Sequence, residues 1–115
     1  MGAQAYTVDA MDGIHTTDAT WLAVRLCSDV MTDAERDQVD PEFAPGMREG
    51  SADSPAATVQ RAHSRWPLSY ARWCQLPESR EWSGRRGPYS RLDWIVARRF
   101  LQRCARRGVG FKVSF

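Results

Sequence analysis

The sequence predicts an α+β fold, a small antiparallel sheet made of an N-terminal hairpin and a C-terminal strand and packed against three or four helices. Three observations carry this. Between Ser90 and Gly108, apolar residues recur at helical spacing: Leu92, Val96, Phe100 and Cys104, flanked by Ile95, Ala97 and Leu101. After Gly108, Val109, Phe111, Val113 and Phe115 alternate with Gly110, Lys112 and Ser114, the period of a half-buried strand. Near the start, Tyr6 and Val8, the turn pair Asp12-Gly13 and the return Ile14-His15-Thr16 have the form of a hairpin. Tyr6, Val8 and Ile14 would then share a sheet with Phe111 and Val113. An all-α bundle with frayed ends is the alternative.

The elements between follow from local chemistry. Thr17 or Asp18 caps a first helix whose inner stripe is Leu22, Leu26 and Val30, with Ala19, Ala23 and Cys27 beside it. Arg25 and Asp29 pair at i, i+4 on its outer face. Thr32 and Glu35 form a capping box for a second short helix over roughly 33–39, with one continuous helix from 18 to 39 as the other reading. Residues 40–54 are a loop with two prolines and two glycines and no periodicity. Ser54 as N-cap and Pro55 as N1 start the next helix, with Ala56, Val59, Ala62 and His63 inward and Gln60 and Arg61 outward. Trp66 precedes Pro67, which disfavours helical backbone and predicts a break. A second helical piece runs through Leu68, Ala71 and Gln75 and stops before Pro77. Residues 77–89 read as a loop punctuated by Gly84, Gly87 and Pro88. Ser90 and Asp93 then cap the last helix. Arg98, Arg99, Arg103, Arg106 and Arg107 fill its opposite arc and final turn, and Gly108 stops it.

At 115 residues the chain reads as one domain, with an acidic half (1–55) and a basic half (56–115). No apolar run approaches the ~20 residues a membrane-spanning helix needs. The N-terminus has no basic region followed by an apolar core, and Tyr6 stands where a myristoylation motif has Ser or Thr. Cys27, Cys74 and Cys104 are odd in number, far apart and set in apolar helical contexts, which points to buried reduced thiols and a cytoplasmic location.

The net charge of +2 conceals the main feature. Residues 1–55 hold eleven acids and three bases, and residues 56–115 hold thirteen bases and three acids. Fifteen of the sixteen bases are arginine, the planar cation suited to gripping carboxylates or phosphates.

Two binding readings follow. In the first, the basic half contacts nucleic acid along the phosphate backbone of a single strand. Arg65, Arg72, Arg80, Arg85, Arg86, Arg91 and Arg98 supply cations, and Trp73 and Trp82 supply rings for unstacked bases. Ordinary packing, with arginines lying over tryptophans, would give the same interleaving. In the second, the chain is an inhibitor or adaptor of another protein. It would dock a basic partner, including a nucleic-acid-binding complex, through a carboxylate ridge of Asp29, Asp33, Asp37 and Asp40, or an acidic partner through the arginine-rich face. A homodimer joined acidic face to basic face is equally open, as is internal pairing of the two halves. In size and composition alone the chain resembles inhibitors encoded by phages and mobile elements, such as anti-CRISPR and anti-restriction proteins.

Catalysis has little support. The only histidines are His15 and His63, and a small RNA-cleaving site would need His15 with an arginine and a tyrosine. There is no P-loop, no GxGxxG, no GxSxG, no EF-hand loop and no CxxC pair, so no metal or cofactor is expected. The basic last helix has the amphipathicity of a membrane-surface helix, but the core needs its apolar face.

Overall fold

The computed structural model describes residues 2–39, 53–81 and 89–114. Strands Gln4–Thr7 (β1), Gly13–Ile14 (β2) and Phe111–Ser114 (β3) form an antiparallel sheet in the order β2-β1-β3. The register pairs Gln4 with Ser114, Ala5 with Val113, Tyr6 with Lys112 and Thr7 with Phe111. Alternation sorts the faces as the sequence predicts for the last strand: Phe111 and Val113 point inward, Lys112 and Ser114 outward. On β1 the inward residues are Ala5 and Thr7, while Tyr6 faces outward. The fold is therefore α+β, and the ladder excludes the all-α alternative.

The hairpin departs from expectation. Asp12-Gly13 is not a two-residue turn, because β1 ends at Thr7 and Gly13 already pairs with Tyr6. Val8 lies in the connecting loop with its side chain exposed. Thr7 organises that loop: its hydroxyl donates to Asp9 Oδ1 at 2.5 Å and accepts from the amides of Met11 at 3.1 Å and Asp12 at 3.2 Å. One side chain thus satisfies the backbone groups that a tight turn would pair internally. Ala10 takes a left-handed φ of 59° to close it.

Six helices occur among the described residues: Thr17–Ser28 (α1), Asp33–Val39 (α2), Ala56–Arg65 (α3), Tyr70–Cys74 (α4), Pro77–Glu81 (α5) and Arg91–Arg107 (α6). Ala19, Leu22, Ala23, Leu26 and Cys27 bury the inner side of α1 as expected. α1 and α2 are separate helices. The capping box closes in both directions, the Thr32 amide donating to Glu35 at 3.0 Å and the Glu35 amide to Thr32 Oγ1 at 3.1 Å. α3 begins one residue later than predicted, with Pro55 at its cap, because the Ser54 backbone is engaged elsewhere. Ser54 exchanges hydrogen bonds with Phe111 at 2.9 and 3.0 Å, adding one rung outside β3. Gly110 lies against this crossing, where a Cβ would run into the Ser54 carbonyl and the backbone of Pro55 and Ala56. Trp66 is extended before Pro67 and ends α3, as read.

Two expectations are corrected here. Residues 77–81 are helical rather than loop: Pro77 heads α5, where its missing N–H leaves nothing unpaired. The remainder of the expected 77–89 loop, and most of the 40–54 loop, lie outside the described residues. The second correction is the phase of α6. Leu92 is 69% exposed and Arg98 only 2%, so the inner stripe is Trp94, Ala97, Arg98, Leu101 and Cys104, with Phe100 beside it. The caps of α6 are as predicted. Ser90 Oγ accepts from the Asp93 amide at 3.1 Å. Gly108 is left-handed (φ 67°), and the amides of Gly108 and Val109 return to the carbonyls of Ala105 and Cys104 in a Schellman closure.

Helices α1, α3 and α6 pack on one another beneath the sheet. Trp73 stacks on Trp94 at 4.5 Å between ring centroids, and Phe100 meets Phe111 edge-on at 5.3 Å. Pairs of this kind contribute about 0.5–1.5 kcal/mol beyond the area they bury. Cys27 and Cys104 are buried and Cys74 is half-buried, so the expected burial holds for two of the three. Among the described residues no helix is long and apolar enough to cross a membrane.

Candidate nucleic-acid interface

Internal ion pairs engage several of the charges that face solvent. Arg61 on α3 grips Glu35 of α2 with two parallel bonds of 2.8 Å and donates a third to the Val30 carbonyl at 2.8 Å. In the last turns of α6, Arg103 bonds Asp12 through Nε and through Nη2 at 3.1 Å, and Arg107 bonds Asp9 at 3.2 and 3.1 Å. The hairpin loop is thereby tied to the end of α6. The Thr7 hydroxyl and then Arg107 hold the Asp9 carboxyl down at about 2. Arg61 holds Glu35 down at about 2, and Arg103 lowers Asp12. The acidic half is partly neutralised by the basic half within one molecule.

The carboxylate ridge is corrected accordingly. Asp29 caps the end of α1 and pairs with Arg25 at 3.6 Å, while Asp33 is exposed in the first turn of α2. The break between the helices interrupts the i, i+4 row on which the ridge depended. The Asp37 side chain and Asp40 lie outside the described residues.

Two members of the predicted phosphate patch are structural. Trp73 is sealed in the core against Trp94 and offers no face to a base. Arg98 is buried and turned inward. It donates to the His63 carbonyl at 2.6 Å, to the Trp66 carbonyl at 2.9 and 3.3 Å, and to His63 Nδ1 at 3.1 Å. These carbonyls end α3, so Arg98 places a cation on the negative end of that helix. Burial lowers its affinity for the proton, yet a guanidinium stays charged at any ordinary pH. Because Arg98 only donates, His63 Nδ1 must accept, which leaves its proton on Nε2. Burial, then Arg98 and Arg106, push His63 below its ordinary value. Trp66 is 4% exposed and gives its Nε1–H to the Leu26 carbonyl at 2.8 Å. Trp82, Arg85 and Arg86 lie outside the described residues.

The remaining predicted residues do reach solvent. Arg91 lies over the Tyr70 ring at 5.4 Å, and Arg80 is exposed on α5. Arg65 and Arg72 border one open cleft of about 510 Å³ between the end of α3 and α4. Ser64 and Gln75 add polar groups to its wall, and Pro67 and Leu76 an apolar side. Arg65 lies over the Trp66 ring at 4.3 Å and reaches Glu78 at 3.0 Å. Arg72 is exposed and makes no ion pair among the described residues. The same holds for Arg99 and Arg106 on the outer arc of α6, with Arg103 between them. Sequence reasoning did not place Arg99 and Arg106 among the site residues. The alternative phase of α6, anchored on Trp94 and Leu101, would have turned both outward and Arg98 inward.

Compared with known proteins, the chain matches no family model, no curated protein and no solved structure. Cys27 and Cys104 are pushed up to about 12 by burial, which removes them as nucleophiles near neutral pH. His15 is exposed and has no hydrogen bond or ion pair among the described residues. Arginines free of carboxylates can grip phosphate oxygens bidentately, and that is the chemistry this surface offers.

Proposed function

We propose that the chain is a non-enzymatic nucleic-acid-binding protein that contacts the phosphate backbone through Arg72 beside Arg65 and through Arg99 and Arg106 on α6. One observation carries this reading. Internal pairing engages Arg61, Arg103 and Arg107, whereas Arg72, Arg99 and Arg106 stand exposed without a carboxylate among the described residues. The burial of Trp66, Trp73 and Trp94 moves the emphasis from stacked bases to phosphates. Buried tryptophans are also poor reporters, so binding is best followed by the anisotropy of a labelled oligonucleotide.

The expected result is binding that persists at physiological salt and weakens linearly in log Kd against log salt. Replacing two phosphate contacts in Arg99→Ala/Arg106→Ala should lower the salt slope by about 2 and weaken all sequences alike. Absence of binding at physiological salt, or an unchanged slope in the double variant, would refute the proposal and leave an acidic protein as the partner of this face.

A further inference from the structure

Resting on the nucleic-acid reading, we infer that the cleft between α3 and α4 is a strand-end site, taking the terminal phosphate monoester of a nucleic acid on Arg65 and Arg72. A backbone track needs only an exposed row of cations, whereas here two arginines line the same open cleft of about 510 Å³. That size lies within the range of about 300–1,000 Å³ typical of small-molecule sites, and is too small for a duplex to lie in. It suits one terminal nucleotide, its phosphate on the arginines and its sugar and base against Pro67 and Leu76.

The end of a helix is normally a poor place for an anion, because its last carbonyls carry negative charge. In α3 the carbonyls of His63 and Trp66 are already occupied by Arg98. The buried cation thus removes the repulsion that the cleft would otherwise present. Arg65 is positioned beforehand, held over the Trp66 ring and bonded through Nη2 to Glu78. A guanidinium has five N–H donors, so the bond to one carboxylate oxygen leaves others for a second anion. Glu78 also sets a preference. It competes for Arg65, so a singly charged diester gains little there. A monoester, with a charge of about −1.5 to −2 and three terminal oxygens, gains more.

The test uses one labelled single strand in three forms, with a 5′-phosphate, a 3′-phosphate or hydroxyls at both ends, at physiological salt. One of the phosphorylated strands should bind about 10-fold more tightly than the hydroxyl strand. Arg72→Ala should abolish that difference in affinity between the strands, whatever all three lose with the shared backbone contact, and the variant should fold normally, because Arg72 is exposed and its loss disturbs no packing. Glu78→Gln should enlarge the difference by freeing Arg65. Equal binding of all three strands by the natural chain, or a preference that survives Arg72→Ala, overturns the strand-end site while the backbone reading stands. If no strand binds in any form, both fall together.

Discussion

Arg98 and Arg99 are neighbours on α6, and the two sides of that helix use the same side chain in opposite ways. On the inner side, Arg98 is 2% exposed and spends its donors on two carbonyls and an imidazole nitrogen. No carboxylate among the described residues balances it, and the end of α3 supplies the negative charge instead. On the outer side, Arg99 and Arg106 are exposed and lack ion pairs among the described residues, while Arg103 and Arg107 hold the hairpin loop. Arginine content is therefore no measure of binding surface in this molecule. What each guanidinium does depends on which charge the fold brings to it.

The sharpest way to break this comparison is Arg98→Ala. It leaves the carbonyls of His63 and Trp66 buried without their donor and opens a cavity between α3 and α6. A loss of about 3 kcal/mol is expected in denaturant unfolding. Arg99→Ala should stay within about 0.5 kcal/mol. Equal effects would show that the inner arginine is not structural.

Acid should separate the two sides next. His63 has a folded pKa below its ordinary 6.5, so below that pH the unfolded chain takes up the proton first. The associated stability is complete above 6.5 and is lost as pH falls toward the lowered folded value. Asp9 and Glu35, held at about 2 against ordinary values of 3.8 and 4.5, add a second loss between about 4.5 and 2. His63→Asn keeps an acceptor near Arg98 and removes the titration. It should flatten the pH profile just below 6.5 and leave the carboxylate window intact, as read by thermal unfolding across pH.

The smallest effect is expected at the hairpin. Asp12→Ala removes the partner of Arg103 and a weaker contact to Arg107 at 3.7 Å. These pairs are partly exposed, so stability should fall by less than about 1 kcal/mol. Oligonucleotide affinity should rise, because Arg103 on the outer end of α6 loses its internal anion while Arg107 keeps Asp9. Unchanged affinity would place the binding surface away from that end.

The parts of the fold that were legible in the sequence are those governed by near neighbours. The Thr32–Glu35 and Ser90–Asp93 caps, the Gly108 stop, the break at Trp66-Pro67 and the alternation of the last strand each depend on a few adjacent residues. The phase of α6 was not legible, because Leu92, Val96, Phe100 and Cys104 form as good a stripe as Trp94, Ala97, Leu101 and Cys104. The choice is made by Trp73, which comes from another helix and stacks on Trp94. Pro77 is ambiguous in the same way, since proline both ends helices and begins them. The candidate site was legible only in part. Arg65 and Arg72 were picked out as cations, but their convergence on one cleft depends on the bend between α3 and α4. The pairing of Asp9 and Asp12 with Arg107 and Arg103 spans nearly the whole chain, and no local pattern encodes it.

That span has a kinetic side. The β1–β3 ladder joins Gln4 to Ser114, so the sheet draws on the most distant contacts the described chain can make. Closing so long a loop costs entropy before any rung repays it, and long-range pairing of this kind slows folding. Helices α1, α3 and α6 can meet first, bringing the ends within reach. If the ladder forms late in this way, strain placed beside it, as by a side chain at Gly110, should act chiefly by speeding unfolding, which stopped-flow unfolding rates would read. The resistance of the native molecule to opening then draws on two short strands at its extremities, one of which follows directly from the helix that carries Arg99 and Arg106.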